Sequence, residues 1–317
     1  MINFFGDFFI KKSLTPFIDE YFEKIDPTLN QADFNVANFE GSINDNLPRV
    51  FNPIQFPFAL AMDKQVCEKL KKHHIDFVTR ANNHSMDFGE KSMELTSQCL
   101  KKNGVSFAGI GKNKQESMTP MVIEKNNIKI AIFSFTTTLP KDAWAQKNTP
   151  GVAAPNESEL KKILKKYEDS FDFIVVIFHW GIELNPYVSQ RNRNFAKIFI
   201  KSNGDLILGH HAHIAQQIEK IDHRWVGYGL GNFIFTTRKR LSQLSLGERV
   251  QFCASKQSTE KSTYIQFFPL NTDTLNNNFK TTRMSENEFQ VILKKYQEKK
   301  LFPKDISFIY ENKAPSK

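Results

Sequence analysis

Several residues that can bind metal ions or transfer protons stand directly after short apolar runs of the chain. Two of them are acidic, Asp7 and Glu40. Five of the eight histidines share this setting: His84, His179, His210, His211 and His213. Hydrolases bind divalent metals through neutral imidazole and carboxylate groups from several chain segments, with one position left for water. A single strand-end histidine is more often structural, but the whole set predicts a metal centre.

The arrangement favours a site for one or two divalent ions, namely Mn, Fe or Zn. A turn after a strand can direct both imidazoles of His211-Ala212-His213 into one site, each toward a different metal. A negatively charged ligand can hold two cations about 3.5–4 Å apart, and such a pair lowers the pKa of a bound water. Glu40 is the candidate for that ligand.

The elements that position these residues are short strands and amphipathic helices. Runs rich in Ile, Val and Phe predict buried strands at residues 2–5, 34–36, 75–79, 128–135, 171–178 and 205–208. Helices are expected at 62–73, 91–102 and 157–167, and after Ser189 as far as Gly204. This alternation predicts sheets covered by helices. Three histidines are expected at the surface: His73, His74 and His223.

The chain is interpreted as one main domain, residues 1–250, with a C-terminal extension, residues 251–317, packed on it. The strand-and-helix alternation weakens after Asn232. A strand at 263–270 and a helix at 286–300 are the expected elements of the extension.

The composition predicts a soluble cytoplasmic protein with an anionic partner. The formal net charge is +9, which favours phosphates or polyacids, but no nucleic-acid-binding signature is present. Three cysteines, without metal spacing, favour a reducing compartment over a disulfide framework. No apolar run is long enough to span a bilayer. A signal peptide is not expected, because strand-like sequence begins right after Met1.

Six motifs occur in an order and at a spacing that resemble a known family. They are Gly6-Asp7, Ala37-Asn38-Phe39-Glu40-Gly41, residues 81–89 (ANNHSMDFG), residues 179–183 (HWGIE), residues 209–213 (GHHAH) and residues 229–233 (GLGNF). Over roughly residues 1 to 236 the chain resembles the CapA family of bacterial capsule-synthesis proteins, which are associated with poly-γ-glutamate. That family is similar in fold to the calcineurin-like metallophosphoesterases. The resemblance implies an α+β fold, a four-layer α/β/β/α sandwich of two mixed sheets.

The resemblance also implies roles for the motif residues. The implied metal ligands are Asp7, Glu40, Asn83, His179, His211 and His213. His84 would be the catalytic group that faces the substrate. The chain departs from the wider superfamily in having Phe9 where a histidine is usual and Glu40 where the bridging residue is usually aspartate. Whether one or two ions bind is therefore left open.

The function predicted on these grounds is metal-dependent hydrolysis of a phosphate ester or related anionic substrate in capsule or poly-γ-glutamate biosynthesis. Arg80, Arg191 and Asn232 are candidates for substrate binding, and Asp87 and Glu183 for orienting the histidine ligands. The alternative is a non-hydrolytic assembly or ligase component that binds an anionic polymer. Other capsule-biosynthesis proteins are possible partners in either case.

Overall fold

A computed structural model describes residues 1–51, 57–138, 140–237, 244–254, 261–272, 279–304, 306 and 308. The strands are β1 (Ile2–Phe9), β2 (Phe34–Phe39), β3 (Ser42–Ile43), β4 (Ala61–Met62), β5 (Phe77–Thr79), β6 (Ser106–Ala108), β7 (Ile110–Gly111), β8 (Met121–Lys125), β9 (Ile128–Thr136), β10 (Gly151–Val152), β11 (Phe173–His179), β12 (Leu206–His210), β13 (Ile218–Ile221), β14 (Arg224–Gly227), β15 (Asn232–Phe235), β16 (Ser245–Ala254), β17 (Lys261–Asn271) and β18 (Thr282–Arg283). The helices are α1 (Ile18–Phe22), α2 (Asp26–Leu29), α3 (Gln65–Lys72), α4 (Gly89–Lys102), α5 (Lys114–Ser117), α6 (Glu157–Tyr167), α7 (Gln190–Lys201) and α8 (Glu286–Glu298). Two 3-10 helices span Lys12–Phe17 and Lys141–Ala143.

Two large mixed sheets form the frame of the molecule. The first has the strand order β18-β17-β16-β1-β2-β5-β6, and β15 also pairs with β1. Its strands β1, β2, β5 and β6 are parallel, whereas β16 runs antiparallel to β1. The second has the order β13-β14-β12-β11-β9-β8, with a parallel centre and antiparallel pairs at both edges. The parallel centres place several strand carboxyl ends at one edge of each sheet.

In the first half of β1, neighbouring apolar side chains enter different cores because successive side chains in a strand point to opposite faces. Phe4 lies between the sheets with Val175 and Leu208 of the second sheet. Phe5 lies on the outer face with residues of α1 and α3. The outer face of the second sheet packs against apolar residues of α6 and α7. These contacts confirm the predicted four-layer α/β/β/α sandwich.

The longer elements lie close to their predicted positions. Helix α6 has the predicted bounds and begins with a capping box in which the Asn156 side chain accepts from the Glu159 backbone. Helix α7 is capped by Ser189 as expected, and β17 and α8 lie within the extension. β16 crosses residue 250 without a break. The division of the chain at that residue stays a prediction.

Two expectations about the helical layer over the first sheet are wrong. Cys67 and Cys99 are joined by a disulfide, because α3 and α4 pack side by side with these Cα atoms 6.0 Å apart. The cysteines therefore no longer favour a reducing compartment. His73 is not a surface residue, since it is buried where α3 ends and both its ring nitrogens contact carboxylates. Within the described ranges, no helix has both the length and the apolar character needed to cross a bilayer.

Candidate metal centre

Three neighbouring parallel strands of the first sheet bring polar residues together near the carboxyl ends of β1 and β2 and at the start of β15. Asp7 on β1 lies in register with Asn38 on β2 and with Asn232 on β15. A Cβ atom on Gly6 would lie 1.9 Å from the carbonyl oxygen of Gly231, so only glycine permits this close approach. It lets the Asp7 amide donate a 2.9 Å hydrogen bond to the same oxygen. Asp7 is thereby fixed at the strand end.

The second sheet contributes its histidines from two adjacent strand ends. His179 ends β11 and lies in register with His210, which ends β12. After β12 the chain turns through His211 and His213 with φ angles of 88° and 55°. Such left-handed conformations are uncommon in residues other than glycine and cost roughly 1–3 kcal/mol each where the surrounding structure must enforce them. Here the His211 amide donates to Asp7 Oδ2 at 3.3 Å.

Glu40 lies at the centre of the cluster formed by the two sheets. Its Oε1 is 3.6 Å from His213 Nε2 and 3.8 Å from His179 Nε2. On the far side, His213 Nδ1 lies 3.2 Å from Asp7 Oδ2 and 2.9 Å from Asn232 Oδ1. The rings of His179 and His211 have centroids 4.7 Å apart. The predicted acidic and histidine ligands therefore meet in one buried place.

Two groups of side chains have donor atoms close enough for one cation each. Asp7, Glu40 and His213 form one group, and Glu40, His179 and His211 form the other, with the donor atoms of each group within 4.8 Å of one another. Glu40 belongs to both groups. Of the remaining predicted ligands, Asn83 lies beside the second group, where its Oδ1 accepts from His179 Nε2 at 2.7 Å.

The donor set fits divalent cations. Glu40 is fully buried, yet neither of its carboxylate oxygens has a hydrogen-bond partner among the described residues. His211 Nδ1 is also buried, and it has no hydrogen-bond partner among the described residues. Buried polar groups in folded proteins are almost always paired, so these atoms are in the condition expected of metal ligands. Mixed imidazole and carboxylate donors suit Zn, Fe and Mn.

The pKa values of the metal-free cluster leave two imidazoles neutral. Burial lowers the pKa of His179 well below its usual value, and burial together with the charge of His213 lowers that of His211 to about 3. Burial also acts to lower the pKa of His213, but Glu40 and Asp7 raise it to about 10. Burial raises the pKa of Glu40, whereas for Asp7 the hydrogen bond and charge of His213 outweigh burial and lower the pKa. Neutral imidazole is the form that binds metals.

His84 lies at the border between the cluster and a large cleft. Its Nδ1 donates to Asp87 Oδ2 at 2.7 Å, and the same Asp87 oxygen accepts from the Leu60 amide at 2.8 Å. The carboxylate therefore fixes the orientation of the His84 ring and leaves Nε2 available to a ligand. Because His84 is not one of the predicted metal ligands, the role predicted for Asp87, which was to orient the histidine ligands, stays a prediction. Glu183 is exposed on the cleft wall, where no described histidine is recorded as its partner.

The structure does not bring the candidate substrate-binding residues together. Arg80 is fully buried, and its guanidinium donates to Met93 O and Ser97 Oγ of α4 instead of facing the cluster. Burial lowers the pKa of Arg80 to about 9. Arg191 is exposed in the first turn of α7, with its guanidinium carbon 5.9 Å from the centre of the Phe195 ring. Asn232 is buried in the cluster as a partner of His213.

Asn38 is a residue of the site that the sequence reasoning did not single out. Its Nδ2 donates to Asp7 Oδ1 at 2.8 Å and contacts His179 Nδ1 at 3.2 Å, so it links the two ligand groups. Its Oδ1 accepts from Thr79 Oγ1 and Asn82 Nδ2. The available signal was a polar residue inside an apolar strand, two positions before Glu40.

The cleft beside the cluster has a volume of about 860 Å³. Its lining includes the rings of His84 and His213, so the cleft reaches the candidate ligands. The rest is mostly apolar, with two lysines: the lining includes Phe9, Phe58, Phe235, Phe279, Lys11 and Lys12. The volume lies in the range typical of clefts that bind small organic ligands.

The layers together define an α+β sandwich of two mixed sheets between helices. Among solved structures, the chain is similar to a calcineurin-like phosphoesterase, YfkN from Bacillus subtilis, with 16% identity, a TM-score of 0.47 and coverage of 94% of this chain and 96% of that one. It is also similar to an NAD nucleotidase from Haemophilus influenzae, with 12% identity, a TM-score of 0.48 and coverage of 92% and 58%.

The chain belongs to the family described as bacterial capsule synthesis protein PGA_cap, whose model matches residues 1–237. The PGA biosynthesis protein CapA of Bacillus subtilis is 29% identical over 76% of this chain and 63% of its own length. The capsule biosynthesis protein CapA of Bacillus anthracis is 26% identical over 73% of this chain and 58% of its own. The matched part therefore spans less than two thirds of these relatives. The family predicted from the motifs is confirmed.

Proposed function

We propose that the protein is a metal-dependent hydrolase of the metallophosphoesterase type that cleaves a phosphate ester or related anionic substrate in capsule or poly-γ-glutamate biosynthesis. The single observation that carries the proposal is the carboxylate of Glu40. It is buried between two imidazole-bearing groups, and both of its oxygens lack a hydrogen-bond partner among the described residues. Burial raises the pKa of this carboxyl group in the metal-free protein, and its charged form is costly unless a cation compensates it.

Each ligand group would hold one ion. Asp7 and His213 would hold the first, His179, His211 and Asn83 the second, with Glu40 shared between them. A bound pair of Mn, Fe or Zn ions would supply Lewis acidity and a water of lowered pKa. Asn38 and Asn232 would keep the ligand side chains in place through their hydrogen bonds.

His84 would act on the leaving group. Its ring is held by Asp87 and borders the cleft, so its Nε2 can donate a proton to the leaving oxygen or hold an oxygen of the phosphoryl group. The position of His84 between the ligand cluster and the cleft means that the leaving group would extend into the cleft.

The test is metal analysis combined with a phosphatase assay. Purified protein loaded with Mn²⁺ is expected to bind one or two ions and to hydrolyse 4-nitrophenyl phosphate. His179→Ala and His211→Ala should lose both metal and activity while the circular dichroism spectrum stays unchanged. His223→Ala, at an exposed histidine outside the cluster, is the matched control. Wild-type protein that binds no metal, or binds it and cleaves no phosphate ester, would contradict the proposal.

A second candidate function is binding of an anionic polymer during capsule assembly, without hydrolysis. The net charge of +9 and the two lysines beside the cleft favour it. Poly-γ-glutamate would then bind to the metal-loaded protein, with an affinity that falls as salt is raised, and would stay intact during incubation. Cleavage of the polymer or of a phosphate ester favours the hydrolase instead.

A further inference from the structure

An aromatic surface leads from the candidate metal centre into the cleft. The His213 ring lies 4.6 Å from the Phe235 ring, and the Phe235 ring lies 5.5 Å from that of Phe9, measured between centroids. Both phenylalanines line the cleft and are otherwise buried in the core of the first sheet. Phe235 and Phe9 therefore form an apolar floor of the cleft, directly beside the ligand cluster.

This floor is rigid because the chain segments on either side of it are bonded to each other. The Thr236 amide donates to Phe9 O at 3.0 Å, and the Lys11 amide donates to Thr236 Oγ1 at 2.7 Å. Phe58 also lines the cleft, and this residue is 52% exposed. An exposed phenylalanine beside a preformed apolar floor offers surface that a ligand can remove from water.

The two lysines in the lining give the cleft a second charged region. Lys11 follows Asp7 by four residues, so their Cα atoms can be at most about 14 Å apart. Lys11 is exposed and Lys12 is half-buried. Amphipathic side chains of this kind keep the ammonium group in water, where it can meet an anion at the outer end of a bound molecule.

We propose that the cleft binds the leaving group of the substrate, and that this group has an alkyl or aromatic body and a second anionic group at its far end. The proposal rests on the proposed function in one respect, since it places the reacting anion at the candidate metal centre. The substrate class is thus an amphipathic phosphate ester whose apolar part lies along Phe9, Phe235 and Phe58. Lys11 and Lys12 pair with the distal anion.

Binding of alkylphosphonic acids tests the proposal without requiring hydrolysis. The affinity of the Mn²⁺-loaded protein is measured by calorimetry for the methyl, propyl and hexyl compounds and for 7-phosphonoheptanoic acid, which is the hexyl compound with a terminal carboxylate added. Burial of one methylene group corresponds to about fourfold in affinity, so the hexyl compound should bind at least about thirtyfold more tightly than methylphosphonic acid even if only half of the chain is buried. The terminal carboxylate should add about threefold.

Two variants separate the apolar and the charged parts of the cleft. Phe58→Ala should weaken the hexyl compound about fivefold and leave methylphosphonic acid unchanged, because the phosphonate itself lies at the metal centre. The double variant Lys11→Gln/Lys12→Gln should remove only the gain from the terminal carboxylate. Lys197→Gln, at an exposed position of α7 outside the cleft lining, is the control for a general loss of positive charge.

The outcome is independent of the phosphatase assay. Equal affinities across the alkyl series, or no binding of any phosphonate, would overturn the proposal even if 4-nitrophenyl phosphate is hydrolysed. Affinity that rises with chain length and falls in Phe58→Ala would support it even if no ester is cleaved, in which case the hydrolase assignment alone fails.

Discussion

Among the described residues, the cluster around His73 and the candidate metal centre both place buried histidines against carboxylates, and the two differ in how their polar atoms are paired. His73, between α3 and the helices α1 and α2, has Nδ1 2.8 Å from Asp26 and Nε2 2.8 Å from Asp19. Lys69 lies 2.7 Å from the other oxygen of Asp19. In the candidate metal centre, by contrast, both carboxylate oxygens of Glu40 are buried, and neither accepts a hydrogen bond from a described residue.

The difference teaches that a histidine–carboxylate cluster is a candidate ligand site only when some of its buried donor atoms lack partners, as Glu40 and His211 Nδ1 do among the described residues. The His73 cluster is complete as it stands, so its polar groups already stabilise the packing of the helices. Glu248 shows that a buried carboxylate without hydrogen-bond partners is not by itself a candidate ligand site. Its oxygens have no partner in the described parts of the chain, but Leu208 and Leu230 are its neighbours around Gly227. A ligand site needs unpaired atoms and converging donors together.

The largest expected effect is on metal binding by Glu40→Gln. The change keeps the shape of the side chain but removes the charge shared by both ligand groups. Loss of an outer partner of a metal ligand typically costs 10- to 100-fold in affinity, so loss of the shared ligand itself should cost more than about 100-fold. Titration of the metal-free protein with Mn²⁺ measures this. Unchanged affinity in Glu40→Gln would remove the distinction between the two clusters.

The second effect concerns the helical layer that contains His73. The Cys67–Cys99 disulfide closes a loop with a sequence separation of 32. The double variant Cys67→Ser/Cys99→Ser should lower the free energy of unfolding by about 3 kcal/mol and leave Mn²⁺ affinity within twofold. Cys253→Ser, at the free cysteine, is the control in chemical denaturation. A matching loss of metal affinity would mean that the two regions are not separate.

Most of the fold could be predicted from the sequence because its strands and helices have strong local patterns. Apolar runs that end in polar residues mark the ends of β11 at His179 and of β12 at His210, and the carboxyl-terminal part of β1 at Asp7, where the candidate ligands lie. The contacts that the side chains make could not be predicted from the sequence in the same way. Arg80 directly precedes the motif of residues 81–89, yet its side chain is directed to α4. His73 stands among lysines, yet it is buried. Which way a side chain points depends on packing between distant segments, and periodicity does not report it.

A smaller effect, on pH dependence, is expected for Glu248. Burial raises its pKa well above the usual 4.5, so the folded protein keeps this carboxyl protonated where the unfolded chain has lost the proton. Stability is then lost as pH rises above about 4.5, through the folded-state pKa. Glu248→Gln mimics the neutral form and should raise the free energy of unfolding more at pH 7 than at pH 4.5, where the carboxyl group of the wild type is still protonated in the folded protein. Equal effects at both pH values, measured by urea denaturation, would show that the folded-state carboxyl is already ionised.

The smallest effect is expected for His73→Gln, which changes the histidine–carboxylate cluster whose polar atoms are already paired. His73→Gln removes contacts to Asp19 and Asp26, whose side chains are 41% and 32% exposed. Water and salt screen such partly exposed pairs, so the loss in the free energy of unfolding should be about 1 kcal/mol. The flat ring that stacks on Phe22 at 4.3 Å is also lost. Because every polar atom of the imidazole is already paired within the protein, Mn²⁺ affinity and any phosphatase activity should stay at the wild-type level. A His73→Gln protein with normal stability but impaired metal binding would reverse the roles assigned to the two clusters.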